Sequence, residues 1–225
     1  MVREGYPWVV VPLVAALAAA ALGFMFGSGV LLATGAALLA LAAFMAYFFR
    51  DPRREAPTDA RLVVSPADGR VTRVEKLSRE DPESPTVVSI FLSPFDVHIN
   101  RSPIAGTVVD VTYTKGLFKS ATRDSASVVN EQNALTIKGA EITVVCKQIA
   151  GVLARRIVCW KRPGDTLALG ERFGLIKFGS RTDLVLPFGV EILVSPGTRV
   201  RGGVTVIGRL GHGVGMFRPR RPADV

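Results

Sequence analysis

Charge is missing from the start of this chain: between Pro7 and Phe49 there is no Asp, Glu, Lys, Arg or His. Histidine and cysteine are scarce throughout, with two of each in 225 residues. Cys146 and Cys159 have no companion Cys or His cluster, which excludes a zinc-finger spacing and a disulfide framework. Cys146 lies in the alternating run Ile142-Thr-Val-Val-Cys-Lys and is expected at a buried strand position. Sustained helical periodicity is absent after residue 50, so no major helix is expected there. The sequence also has no phosphate-cradling Gly loop and no metal-ligand spacing, and no metal is expected.

What the first fifty residues do have is apolar length. Two stretches, about Pro7 to Met25 and about Val30 to Phe49, flank the turn-like Phe26-Gly-Ser-Gly. Each approaches the roughly 20 residues that cross a hydrocarbon core of about 30 Å. So short a linker makes a tight hairpin with both ends on one side. The basic flanks, Arg3 before it and Arg50, Arg53 and Arg54 after it, put that side in the cytoplasm by the positive-inside rule. A cleaved signal peptide is the competing reading, weakened by the second apolar segment and by Glu4. The Ala- and Gly-rich composition also leaves open a hairpin that dips into one leaflet. Residues 1–50 therefore read as a membrane anchor and 51–225 as the working domain. Apart from Arg3, Glu4 and Arg50, all of the charge behind the net +9 lies in that domain. Coupled to an anchor, the excess points to an anionic lipid surface and not to nucleic acid.

From Leu62 onward the pattern is short β-branched runs cut by Gly, Pro, Asp and Asn. Arg70–Glu75, Thr86–Leu92, Gly106–Tyr113 and Glu141–Cys146 alternate as half-buried strands do. The domain is expected to be mostly β. Ser65-Pro-Ala-Asp-Gly-Arg-Val is echoed by Ser102-Pro-Ile-Ala-Gly-Thr-Val, and the segment from Gly164 by the segment from Gly197. These turns look like those of small barrel-sandwich folds, although no lysine occupies a cofactor-carrying tip.

One dipeptide bears on chemistry. Gly179-Ser180 lies between the apolar runs of Leu175-Ile-Lys-Phe and Leu184-Val-Leu. Taken alone, such a pair is a turn. A backbone bent so that the Ser180 hydroxyl reaches the Gly179 carbonyl permits an N→O acyl shift to an ester, and glycine leaves that carbonyl open to attack. Elimination then releases the upstream chain and leaves dehydroalanine, which hydrolyses to a pyruvoyl group with loss of ammonia.

Several segments in order resemble the phosphatidylserine decarboxylase proenzyme family in its short bacterial form. They are Phe49-Arg-Asp-Pro, Ser65-Pro-Ala-Asp-Gly, Phe91-Leu-Ser-Pro-Phe-Asp-Val-His-Ile-Asn-Arg-Ser-Pro, Asn130-Glu-Gln-Asn and Phe178-Gly-Ser-Arg. The resemblance implies cleavage into a β chain 1–179 and an α chain 180–225 that stay associated, with Ser180 becoming the pyruvoyl cofactor. It implies decarboxylation of phosphatidylserine to phosphatidylethanolamine through a Schiff base on that group, at the cell membrane. A homo-oligomer stays open. His98 becomes a candidate proton carrier for self-cleavage or for the step after carbon dioxide leaves. Asp68 and His98 with Ser180 would resemble the protease-like triad of longer members. Those members carry a second histidine where this sequence has Arg101, and they read Leu-Gly-Ser-Thr where it has Phe-Gly-Ser-Arg. Lys115, Lys119 and Arg123, near Phe118, form a basic and aromatic segment suited to lipid. The rival readings are a membrane-anchored adaptor and a pyruvoyl enzyme acting on a soluble amino acid. The adaptor lacks its coiled-coil helices here, and the anchor argues against the soluble substrate.

Overall fold

Alanine and leucine dominate the charge-free start, and both favour helix. In the computed structural model, which describes residues 1–119, 129–151, 156–177 and 180–211, they form α1 (Tyr6–Phe26) and α2 (Gly29–Phe48). Gly27, at φ 61°, ends α1 in the left-handed conformation, and Ser28 caps α2. The helices lie close: a Cβ on Gly35 would stand 3.1 Å from the Ala16 carbonyl oxygen. Their outer surfaces are apolar and exposed, as at Leu17, Phe24 and Val30. Only 17% and 11% of the two apolar windows is buried, where the core helix of a soluble protein would be mostly buried. Both helices are long and apolar enough to cross a membrane. At the end of α2 the Arg50 guanidinium lies 3.8 Å above the Tyr47 ring, a pairing of cation and aromatic common at membrane interfaces.

The chain divides into two compact units, Met1–Arg53 and Arg54–Val225. The second is built on antiparallel sheets. Its largest has eight strands in the order β13 (Arg199–Val200), β2 (Gly69–Lys76), β3 (Thr86–Leu92), β11 (Ser180–Leu186), β7 (Thr143–Ile149), β6 (Gln132–Lys138), β5 (Gly106–Thr114), β9 (Thr166–Leu167). Two three-stranded sheets accompany it. One is β1 (Leu62–Val64), β14 (Val206–Leu210), β12 (Val190–Ile192); the other is β4 (Ile99–Arg101), β10 (Arg172–Ile176), β8 (Ile157–Cys159). Val88, Ile90, Leu135, Ile137, Val144, Leu184 and Leu186 from the large sheet share one core with Val63, Phe173 and Ile207 from the small ones. The expected mostly β domain behind a helical hairpin is therefore what folds. The four strands expected from alternation are β2, β3, β5 and β7. Cys146 is fully buried in β7, and burial, reinforced by the Asp183 charge, pushes its thiol well above the usual range. It is a packing residue.

The sequence echo is a structural repeat. Ser65 Oγ donates to the Ala67 carbonyl at 2.7 Å, and Ser102 Oγ to the Ile104 carbonyl at 2.6 Å, each just before a long strand. Gly197 N donates to Val71 O as Gly164 N donates to Val108 O, both at 2.8 Å. Gly203 N and Gly170 N reach back to Ser65 O and Ser102 O. The two copies touch at Gly170 and Gly203, which have φ values of 73° and 75°. A Cβ on Gly203 would lie 2.8 Å from Arg101 Cδ, so both backbone conformation and space demand glycine there. The copies differ where chemistry was expected: by their place before β2 and β5, Asp68 of one matches Ala105 of the other.

Candidate active site

At one end of the large sheet the register runs from β5 to β13. Register pairs Thr114 with Gln132, Gln132 with Ile149, Ile149 with Arg181, Ser180 with Leu92, Phe91 with Arg70, and Arg70 with Arg199. Ser180 begins β11, which lies between β3 and β7 and is buried along its length. Its Oγ is buried with no hydrogen-bond partner among the described residues. Gly179 lies outside the described residues. The chain leaves β10 in a small sheet and enters β11 in the large one, so the predicted cut falls where it crosses between sheets.

His98 stands beside that crossing. Its carbonyl accepts from Ile176 N at 3.2 Å, at the end of β10, and its side chain is buried. Ring Nδ1 lies 3.0 Å from the Asp96 main-chain carbonyl. A carbonyl only accepts, so Nδ1 carries the proton and Nε2 is the basic nitrogen of the neutral ring. The Asp96 carboxylate is occupied elsewhere, accepting from Ser93 N at 2.8 Å and pairing with Arg199 at 3.0 Å.

Asp68 precedes β2 at the same end of the sheet. Its Oδ2 pairs with Arg54 at 2.7 Å, and its Oδ1 accepts from Gly202 N at 2.9 Å. The acceptor that orients the His98 ring is thus the Asp96 carbonyl, while Asp68 ties the start of the domain to the turn before β14. Arg54, read from sequence as a membrane flank, belongs to this pairing. Arg101, at the position of the longer members' second histidine, donates to the Gly170 carbonyl at 3.1 Å. A guanidinium stays protonated, so Arg101 holds the junction of the repeats and cannot act as a base.

Sequence reasoning missed the polar groups around Ser180. On the core face of the large sheet, Leu184 and Leu186 continue inward as apolar side chains, whereas Ser180 and Thr182 begin the strand as polar ones. Thr182 Oγ1 accepts from Asn100 Nδ2 at 2.9 Å; Asn100 Oδ1 accepts from Gln148 Nε2 at 2.9 Å; Gln148 Oε1 accepts from Asn133 Nδ2 at 3.0 Å. All four side chains are buried. The chain of amides ties β4, next to His98, to β11, next to Ser180. On the opposite face Arg181 pairs with Asp183: Nη2 donates to Oδ2 at 3.0 Å, and Nε lies 2.9 Å from Oδ1 as an ion pair. The available signal was amides placed in phase with apolar strand residues, but alternation does not say which face is inside. Asn100→Ala is expected to leave Gln148 and Thr182 short of a partner, at a cost of about 1–3 kcal/mol. A fall in Tm together with slower appearance of cleaved chain on a denaturing gel checks it.

Among the described residues, no three His, Cys, Asp or Glu side chains group as metal ligands. The buried Ser180 hydroxyl, unpartnered among the described residues, opens β11, and the Asn100–Thr182 bond links that strand to β4, which follows His98.

The fold is that of an antiparallel β domain that follows an apolar helical hairpin in the chain. The family model for phosphatidylserine decarboxylase matches residues 41–208. The phosphatidylserine decarboxylase proenzyme of Solibacter usitatus (strain Ellin6076) is 53% identical over 175 residues, 76% of this chain and 81% of the relative. The proenzyme of the same description from Symbiobacterium thermophilum is 49% identical over 213 residues, 92% of this chain and 94% of the relative. That from Carboxydothermus hydrogenoformans is 44% identical over 213 residues, 93% of this chain and 96% of the relative. The chain belongs to the phosphatidylserine decarboxylase family.

Proposed function

We propose that this chain cuts itself between Gly179 and Ser180, converts Ser180 to a pyruvoyl group, and decarboxylates phosphatidylserine to phosphatidylethanolamine and carbon dioxide. The observation that carries the reading is the buried Ser180 hydroxyl, unpartnered among the described residues and next to the crossing between sheets. The pyruvoyl group supplies an electrophilic carbonyl and an electron sink as the carboxylate leaves. His98, held by the Asp96 carbonyl, presents Nε2 as the atom that takes or returns a proton. Asn100, Gln148 and Thr182 keep the strands of His98 and Ser180 in register. Asp68, through Arg54 and Gly202, fixes the turn at the same end of the sheet. The hairpin holds the domain at the cell membrane, and Arg3, Arg50 and Arg53 favour its cytoplasmic side. Carbon dioxide release from phosphatidylserine, with free serine inert, supports the assignment; equal release from both defeats it.

After cleavage the two chains are expected to stay together. Residues 180–210 contribute β11, flanked on both sides by strands of the longer chain, and β13 and β14, which pair with β2 and β1. Leu184, Leu186, Val200, Ile207 and Leu210 are buried, each contributing about 1.5–3 kcal/mol. A denaturing gel should release a fragment of about a fifth of the chain, while gel filtration in mild detergent keeps both pieces in one peak. Separation of the pieces under those native conditions counts against the shared sheet.

A further inference from the structure

The end of the large sheet at which Ser180 opens β11 leads into two segments with exposed apolar side chains. One follows β3, where Phe95 is 66% exposed, only three residues beyond the partner of Ser180. The other follows β5, where Leu117 is 54% and Phe118 37% exposed. This second loop is tied back to the site. Glu131 N donates to Leu117 O, Ala150 N donates to Glu131 O, and Ala150 directly follows Ile149, the partner of Arg181. Lys115 and Lys119, on either side of Leu117 and Phe118, are exposed. Among the described residues, Asp96 pairs with Arg199 and Glu131 with the Tyr113 hydroxyl.

We infer that this end of the β domain is a second membrane contact, in which Phe95 and the pair Leu117 and Phe118 dip into an anionic bilayer at the end of the sheet where Ser180 lies. The inference rests on the proposed lipid substrate and extends it. Two features single out lipid as the occupant. Exposed Leu117 and Phe118 between Lys115 and Lys119 match the boundary between acyl chains and anionic headgroups. The surface also lies at the end of the large sheet where Ser180 begins β11. Each lysine close to such a surface strengthens binding roughly fivefold, an effect that salt screens.

The test uses the full chain reconstituted in vesicles. The Leu117→Asp, Phe118→Asp double variant and Phe95→Asp are compared with the unaltered chain and with Leu77→Asp. Leu77 is 62% exposed and follows the other end of β2. Decarboxylation is measured on long-chain phosphatidylserine in phosphatidylcholine bilayers and on water-soluble dihexanoyl phosphatidylserine. Loop variants are expected to lose about tenfold or more on bilayers and stay within about twofold on the soluble substrate, with Leu77→Asp unchanged on both. Their continued self-cleavage reports that they fold. Lys115→Glu with Lys119→Glu should lower bilayer activity and flatten its salt dependence. Equal losses on both substrates, with or without a change of oligomeric size, overturn the inference, as does no loss on either. An unaltered chain that decarboxylates neither substrate defeats the proposed activity itself and is read separately.

Discussion

Ser180→Ala is expected to leave the chain whole and without decarboxylase activity. The loss should be chemical and not structural. Ser180 Oγ is buried and makes no hydrogen bond among the described residues. Removing it therefore breaks none of those contacts, and deleting an unsatisfied buried hydroxyl is neutral or stabilising. The uncut variant should unfold at a Tm equal to or above that of the unaltered precursor. Ser180→Thr keeps a hydroxyl but adds a methyl group at a fully buried position, so cleavage should be slowed rather than abolished. Gel time courses of the three chains, followed by carbon dioxide release, check the series. A cleaved and active Ser180→Ala chain has no place in this account.

The second large effect is expected at His98. His98→Asn retains a side-chain amide near the position of Nδ1, able to donate to the Asp96 carbonyl, but removes Nε2. The fold should survive while every step that uses this nitrogen for proton transfer slows by about 10²–10⁴-fold. Measuring cleavage and turnover separately tells which step that is. Slow cleavage with normal turnover of the cleaved fraction assigns His98 to processing. Normal cleavage with low turnover assigns it to decarboxylation. A variant unaffected in both shows that the imidazole only packs, leaving the proton to another group.

Much of this architecture was legible in the sequence. Strands β2, β3, β5 and β7 followed from alternation because each has an apolar face and a more polar one. The Ser65 and Ser102 echoes marked two copies of one turn, since the same side-chain bond recurs in each, and the Gly164 and Gly197 echoes share their glycine conformations. The site was less legible for a physical reason. Asn100, Gln148 and Thr182 are polar side chains on the inner face, and alternation assigns polar residues to solvent unless three-dimensional pairing says otherwise. Gly179-Ser180 resembles any turn until the strands on either side prove to belong to different sheets. Arg54 counted as a membrane flank by its charge, whereas its partner Asp68 lies fourteen positions on in the chain. His98 was singled out by its segment, but the Asp96 carbonyl that selects its tautomer is a backbone contact that no side-chain pattern encodes.

The central claim is that Ser180 changes chemically and becomes a chain terminus, and mass spectrometry of the small fragment tests it most directly. The account predicts residues 180–225 lighter than the serine-started fragment by one ammonia, with an N-terminus closed to Edman degradation. A fragment beginning with an intact serine amine, from a preparation that releases carbon dioxide from phosphatidylserine, would contradict it.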